Sequence, residues 1–169
     1  MHLASLPLAL LLSTPALAAT EAAKPLADET KRSTTADVAV RNQLDALDYQ
    51  YEVDADGDYK LTFDLDNERS QLAFVISGVE DYGTFRIREV WAPAYRSPGE
   101  QLPVEVANRL LEDSQSSKMG GWVKQGNLAV FVVKIAADAS SRALDDAIDY
   151  VVRAADQMEA ELTPGKDEF

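Results

Sequence analysis

The chain has 169 residues, of which 46% are hydrophobic and 27% charged, and this is the size and composition of one globular domain with a tail. Its net charge of −13 opposes contact with phosphate backbones and anionic membrane surfaces, so we expect no nucleic-acid partner. The absence of cysteine excludes disulfides, thiol chemistry and cysteine-ligated metals.

The N-terminal residues 1–18 have the pattern of a signal peptide. Residues 3–12 contain only Leu, Ala, Pro and Ser, and Ala16, Leu17 and Ala18 form the small-x-small pattern of a signal peptidase site. The apolar run is too short to cross a bilayer core of roughly 30 Å as a helix. We therefore expect export to the bacterial periplasm or secretion, with no transmembrane segment in the mature chain. An apolar N-terminal helix that is retained is the alternative.

Cleavage after Ala18 would also remove His2, the one histidine of the chain. The mature protein would then lack the imidazole and thiol groups of Ser-His-Asp or Cys-His catalysis and of His-ligated metal and haem sites. We expect a protein that is not an enzyme and holds no cofactor. Residues 19–34 lack periodicity and predict a flexible linker, and residues 163–169 predict an acidic, solvated C-terminal tail.

The remaining residues, 35–162, predict one α+β domain. The spacing of Val40, Leu44 and Leu47 indicates a first helix that begins near Thr34 or Thr35 and ends near Ala46. Alternating patterns with short turns then predict an antiparallel meander of four strands. In the third strand, Leu72, Phe74 and Ile76 are predicted to face the core. The predicted strands cover residues 49–53, 59–65, 71–77 and 84–91.

The second half of the domain predicts a loop, a helix, a hairpin and a long helix. Residues 92–102 contain two prolines and a glycine and predict the loop, and Pro103 suits the first turn of the next helix. Gly126 lies in the turn of the hairpin, and Ser140 or Ser141 begins the last helix. The predicted order is α-β-β-β-β-α-β-β-α, an antiparallel sheet packed by helices. The apolar stripe of the last helix contains Leu144, Ile148, Val151, Ala155, Met158 and Leu162.

One predicted strand, over residues 128–135, is apolar at both parities. Such a strand is usually covered on both faces of its sheet. Helices can supply one cover. The other cover is a further layer of the same chain, a second copy in a homodimer or a protein partner, and the sequence leaves these alternatives open.

The second half of the sequence has a recognisable pattern of apolar, glycine and charged positions. They are Leu110, Leu111, Glu112, Asp113, Lys118, Gly121, Trp122, Gly126, Asn127, the apolar strand to Ile135, Leu144, Ala154, Ala155 and Asp156. This pattern resembles the YbjN-type domain family, which is described as bacterial sensory-transduction regulators, and the resemblance covers roughly residues 35–162. It implies a fold similar to type III secretion chaperones, often dimeric, and a protein-binding role as a chaperone-like adaptor or regulator. It implies no catalytic residue.

The acidic turn at residues 54–58 is a candidate site for a weakly held divalent ion. Asp54, Asp56 and Asp58 alternate as in the start of a calcium loop, but the glycine and glutamate that an EF-hand needs later in the loop are Tyr59 and Leu65 here. The alternative is a hairpin turn with solvated carboxylates.

A second candidate site lies around Glu89, which shares a strand face with Ile87 and Trp91. A carboxylate on an apolar face needs a partner or a position at the rim. The loop over residues 91–96 contains Trp, Tyr and Arg, the residue types that are enriched in binding hot spots. The candidate partner-binding residues are Arg86, Arg88, Glu89, Trp91, Tyr95 and Arg96.

Two further functions stay open beside protein binding. A small-ligand or divalent-ion binding domain of the cell envelope would use the acidic turn or the Glu89 region. A carboxylate-based hydrolase would need two acids at a suitable spacing, a pattern that carries little information in so acidic a chain. Trp122 is expected to pack on the last helix.

Overall fold

A computed structural model describes residues 35–169, so the predicted signal peptide (1–18) and linker (19–34) lie outside the described residues. The described part is an α+β domain with an antiparallel sheet, as the sequence predicts. Its elements are α1 (Val38–Ala46), β1 (Glu52–Val53), β2 (Tyr59–Asp64), β3 (Ser70–Val75), β4 (Glu80–Tyr82), β5 (Phe85–Arg96), α2 (Val104–Ser116), β6 (Gly121–Gln125), β7 (Leu128–Ala136) and α3 (Ser141–Leu162).

The strands form one sheet in the order β1-β2-β3-β5-β7-β6, and β4 pairs with the first part of β5. All strand pairs in it are antiparallel. Val90 of β5 lies opposite Val75 on one side and Val133 on the other, which places it at the centre of the sheet. Gly126 supplies the positive φ of 57° in the tight turn that joins β6 to β7.

The three described helices contribute to one apolar core on the first face of the sheet. The longest, α3, packs across β3, β5 and β7, and the Ser140 side chain caps it by accepting from the backbone N–H of Ala143 at 3.3 Å. Within residues 35–169, no helix combines the length and the hydropathy needed to cross a membrane. The α3 residues buried in this core are Leu144, Ala147, Ile148, Val151, Val152, Ala155 and Met158.

Several predicted boundaries of the elements were wrong. The first helix begins at Val38 and is capped by Asp37, not by Thr34 or Thr35. Asp37 also contacts Arg88 and Ser77, which are distant in the sequence, so the local pattern does not predict it as the cap. The strand predicted to end at Trp91 continues to Arg96, because β7 offers it pairing partners along that length. A register shift between Pro93 and Tyr95 lets the strand accommodate the proline, as β-bulges do.

The prediction that Leu72, Phe74 and Ile76 are core residues is confirmed, but the sequence did not say which face of the sheet they occupy. Leu72, Phe74 and Ile76 are buried, but they lie on the second face of the sheet, whereas Ala73 and Val75 face the helices. Both parities of this strand are apolar from residue 72 to 76, so periodicity alone does not say which of them meets the helices.

Candidate functional site

The second face of the sheet carries an apolar cluster of its own. Successive side chains of a strand point to opposite faces, and every second residue of β3 and β7 points to this one. Each member is less than a tenth exposed, and no residue of the three described helices belongs to the cluster. Its members, which we call the second cluster, are Leu72, Phe74, Ile76, Trp91, Leu128, Val130, Val132 and Phe169.

The strand predicted to be apolar at both parities is β7, and its burial on both faces is confirmed. Ala129, Phe131 and Val133 meet the helices in the first core, and the residues between them belong to the second cluster. The helices thus supply one of its two covers. Phe169, from the last residues of the chain, contributes to the other.

Polar side chains border the second cluster on the β2 side. In an antiparallel pair, residues directly opposite each other share a face. Lys60 lies opposite Phe74 and Thr62 lies opposite Leu72, so this face turns from apolar to polar within one strand. Lys60 forms an ion pair with Glu52 at 3.3 Å, in which the carboxylate is mostly exposed. The apolar part of the second face therefore borders solvent along β2.

The opposite border of the second cluster is strand β6, at the end of the sheet order. Val123 lies opposite Val130 and is 39% exposed. It is a large apolar side chain on the same face as the second cluster, and a solvent-borne molecule can reach it.

Glu89 lies on the second face beside Trp91, as the alternation of the strand predicts. Its side chain is 17% exposed, accepts a hydrogen bond from the indole Nε1 of Trp91 at 2.8 Å and pairs with the Lys134 ammonium at 2.8 Å. Lys134 stands directly opposite it on β7. The hydrogen bond and the charge of Glu89 raise the pKa of Lys134, although burial opposes them. These contacts offset the cost of placing a carboxylate on an apolar face.

The candidate partner-binding residues do not form one surface. Trp91 belongs to the second cluster, whereas Tyr95 packs against the first core, because the bulge after Pro93 changes the alternation. The candidate site around Glu89 therefore includes Trp91 but not Tyr95. Arg96 lies near the second cluster, with its guanidinium 5.5 Å from the centre of the Phe169 ring.

The two arginines before Glu89, Arg86 and Arg88, lie in different environments. Arg88 is buried, and its Nη1 donates to the carbonyl oxygens of Ile76 at 2.7 Å and Ser77 at 3.1 Å. Its Nη2 donates to Asp37 at 2.5 Å. Arg86 is exposed and forms a surface pair with Asp81 at 3.6 Å. Arg88 thus ties the first helix to the sheet and has no access to a partner.

The acidic residues 54–58 form a turn whose carboxylates accept backbone hydrogen bonds. Asp54 Oδ1 accepts from the N–H groups of Asp56 at 2.9 Å and Asp58 at 3.0 Å, and Asp58 Oδ1 accepts from Ser77 N–H at 2.7 Å. Gly57 supplies a φ of +81°. Between residues 35 and 169, no group of three acidic or histidine side chains is arranged to hold a metal ion. The carboxylates of Asp54 and Asp58 therefore stabilise the turn that joins β1 to β2.

Trp122 packs in the first core, in edge-to-face contact with Phe131 at 5.0 Å between ring centres. Its indole Nε1 donates to the Asp113 carboxylate of α2 at 2.8 Å. The polar partner of this ring therefore belongs to the second helix rather than the last one.

Residues 163–169 were expected to form a solvated tail; residues 164–168 are exposed, but the expectation is wrong for Phe169. Phe169 is 3% exposed in the second cluster. Asp167 accepts from Ser70 N–H at 3.1 Å and from its hydroxyl at 3.0 Å, and Glu168 pairs with Arg96. Because these contacts reach residues about 70 to 100 positions earlier, nothing local in the tail predicts them.

A buried carboxylate holds the backbone of this segment. Glu159 is fully buried in α3; its Oε1 accepts from Glu168 N–H at 2.7 Å and its Oε2 from Arg69 at 3.1 Å. Burial raises the pKa of Glu159, while the Glu168 N–H and the Arg69 charge oppose that rise. Arg69 also donates to Asp156 at 2.6 Å. One pattern in the sequence indicates this network. Glu159 follows Ala155 by four residues and therefore lies on the apolar face of α3, where a carboxylate needs a partner.

Comparison with models of known protein families and with curated proteins finds no match for this chain. The geometry of the second face is therefore the basis for a functional assignment.

Proposed function

We propose that the chain is an exported, non-enzymatic YbjN-like domain that binds another protein through the second face of its sheet. Its place is the bacterial periplasm or the medium, and its role is that of a chaperone-like adaptor or regulator. The observation that carries this proposal is the second cluster, eight apolar residues on a face to which none of the described helices contributes. Because the members of this cluster are each less than a tenth exposed, we place the contact with the partner at the border of the face, where the apolar side chain of Val123 is exposed.

The composition of the second face supports a protein as that layer. Interfaces between proteins have an apolar centre, often with aromatic side chains, and a polar rim. Trp91 and Phe74 lie in the centre of this face. Lys60 and the Glu89–Lys134 pair lie at its border. Their charges can fix the orientation of a partner, while the exposed side chain of Val123 at the opposite border offers it an apolar contact.

The arrangement of the layers is also the one that the family resemblance implies. The helices α1, α2 and α3 contribute to one core, on one side of an antiparallel sheet. A sheet packed by helices on one side keeps its other side for association. Export agrees with a chain that contains no cysteine and needs no redox partner to fold.

Site-specific photo-cross-linking tests the proposal in the producing cell. Val123 is replaced by benzoylphenylalanine, because this position lies on the second face and is 39% exposed. We expect irradiation to join the protein to a defined partner. N-terminal sequencing of the same purified material is expected to begin at Ala19.

The matched control is the same replacement at Val104, which is 74% exposed on α2, a helix that packs on the first face. Val104→benzoylphenylalanine is expected to give no such adduct. Equal products from both positions, or none from Val123, would contradict binding through the second face. A sequence that begins at Met1 would contradict export.

A further inference from the structure

The residues that hold the end of the chain form a seat at the border of the second cluster. We call Arg69, Ser70, Arg96 and Glu159 the tail seat. Arg69 Nη1 donates to the Lys166 carbonyl oxygen at 3.0 Å, and Glu159 Oε1 accepts from Glu168 N–H at 2.7 Å. Arg69 thus binds a backbone carbonyl group of the segment, and Glu159 binds a backbone N–H group. Such contacts are independent of the side chains of the bound segment.

Three further contacts of the tail seat select particular side chains. Ser70 donates its N–H and its hydroxyl to the Asp167 carboxylate, and Arg96 pairs with the Glu168 carboxylate. The Phe169 ring enters the second cluster beneath the Arg96 guanidinium, where a cation–π contact adds to its burial. The seat therefore fits two consecutive acidic residues followed by an aromatic one.

A short turn separates the bound segment from the end of α3. Residues 166–169 have no helical or strand conformation, and Gly165 with a φ of +77° follows the end of α3. Release of these residues would break the contacts of the seat but no strand pairing of the sheet. A ligand that displaces this segment must therefore replace its hydrogen bonds, its ion pair with Arg96 and the buried ring of Phe169.

We propose that the tail seat binds, in trans, an extended acidic segment of a partner protein with an aromatic residue after two acidic ones, and that residues 166–169 occupy the seat until the partner displaces them. This inference rests on the proposed function, because the seat opens onto the second cluster. Charge favours such a ligand locally through Arg96, which pairs with Glu168 of the tail, whereas Arg69 is also paired with Asp156 and Glu159. The tethered tail competes at an effective concentration of about a millimolar, so a partner must also contact the neighbouring apolar face.

The test uses a fluorescein-labelled peptide with the sequence of residues 163–169 and measures its fluorescence anisotropy on titration with purified protein. Phe169→Ala removes the anchor of the tethered competitor. We expect this variant to bind the peptide at least tenfold more tightly than the parent chain does. A peptide with alanine in place of its phenylalanine, and the double variant Phe169→Ala/Arg96→Gln, are each expected to lose at least tenfold in affinity.

A second measurement covers the case in which Phe169→Ala fails to fold. The isotope-labelled parent chain is titrated with the unlabelled peptide to several millimolar while the amide of its own Glu168, which leaves Glu159 when the tail is displaced, is followed by NMR. We expect a saturable shift of this amide, and the alanine peptide to produce none. Folded Phe169→Ala without affinity for the peptide, or equal binding of both peptides, would overturn the proposal, as would an unmoved Glu168 amide.

The two proposals fail in different ways. Peptide binding without a cross-link from Val123 supports the tail seat and contradicts the wider use of the second face. A cross-link from Val123 without peptide binding supports the proposed function and contradicts the tail seat.

Discussion

Asp37 shows how one residue can join a helix end to the centre of a sheet. Its Oδ1 accepts from Ala39 N–H at 2.7 Å, its Oδ2 accepts from Arg88 at 2.5 Å, and its own N–H donates to the Ser77 hydroxyl at 3.0 Å. Burial raises its pKa, but the hydrogen bonds from Arg88 and Ala39 outweigh burial and hold the pKa of Asp37 below its ordinary value.

Asp37→Asn is expected to lower the free energy of unfolding at pH 7 by about 1.5–3 kcal/mol, the usual worth of a hydrogen bond to a charged group. A carboxyl whose pKa is lower in the folded state loses its contribution as pH falls below its unfolded value of about 3.9, because the unfolded state then binds more protons. The difference between parent and variant should therefore shrink between pH 7 and pH 3 in urea titrations.

The control for this prediction is Asp81→Asn. Asp81 pairs with Arg86 on the surface at 3.6 Å, and exposed pairs contribute less than about 1 kcal/mol. A constant difference between the parent and Asp37→Asn across the pH range would show that the ionised carboxylate does not stabilise the fold.

At the scale of elements, the entry into β6 depends on a glycine in close contact with β7. Gly120 has a φ of +72°, and a Cβ at this position would lie 2.1 Å from the carbonyl oxygen of Val132. The following residue, Gly121, pairs with Val132, so the edge strand is placed by this close approach. A side chain here would push β6 away from the sheet.

Gly120→Ala is expected to destabilise the domain by about 3 kcal/mol or more, since it adds a backbone clash to the strain of the left-handed conformation. Gly126→Ala is the matched control, with a φ of +57° and open space around the added Cβ. It should cost about 1–2 kcal/mol, the price of the conformation alone. Urea unfolding of the two variants measures both losses of stability. Equal losses would contradict the steric argument.

At the scale of the whole molecule, the sheet separates two apolar regions with different covers. The first core is closed by helices from three parts of the chain, and the second cluster receives Phe169 but no helix residue. The net charge of −13 bears on the choice between a second copy and a different protein as the partner. Like charges repel, so self-association of so acidic a chain is opposed at low ionic strength.

Light scattering of the purified protein in low-salt buffer is therefore expected to give the mass of one chain. Phe169→Ala should also scatter as a single chain, since the partner we propose is a different protein. A stable dimer in low salt would assign the second face to a homodimer and would contradict a heterologous partner. Measurement at two ionic strengths serves as the control, because screening weakens the charge repulsion.

Local patterns in the sequence were sufficient to predict the types of the main elements. The alternation through Tyr59 and Leu61 predicted β2, and the spacing of Leu144, Ile148 and Val151 predicted α3. Two-residue and 3.6-residue periods arise from backbone geometry, which each segment carries by itself. The same alternation placed Glu89 on an apolar face, although it did not show Lys134 as its partner.

The tertiary structure decided which surfaces meet. The extension of β5 through Pro93, the separation of Trp91 from Tyr95 and the docking of Phe169 all depend on pairings between distant parts of the chain. A period of two shows that a strand has two faces, but it does not say which of them the helices cover when both are apolar. The sequence by itself thus determined the fold class and the doubly apolar strand, whereas the second face and its tail seat exist only where distant residues are brought together.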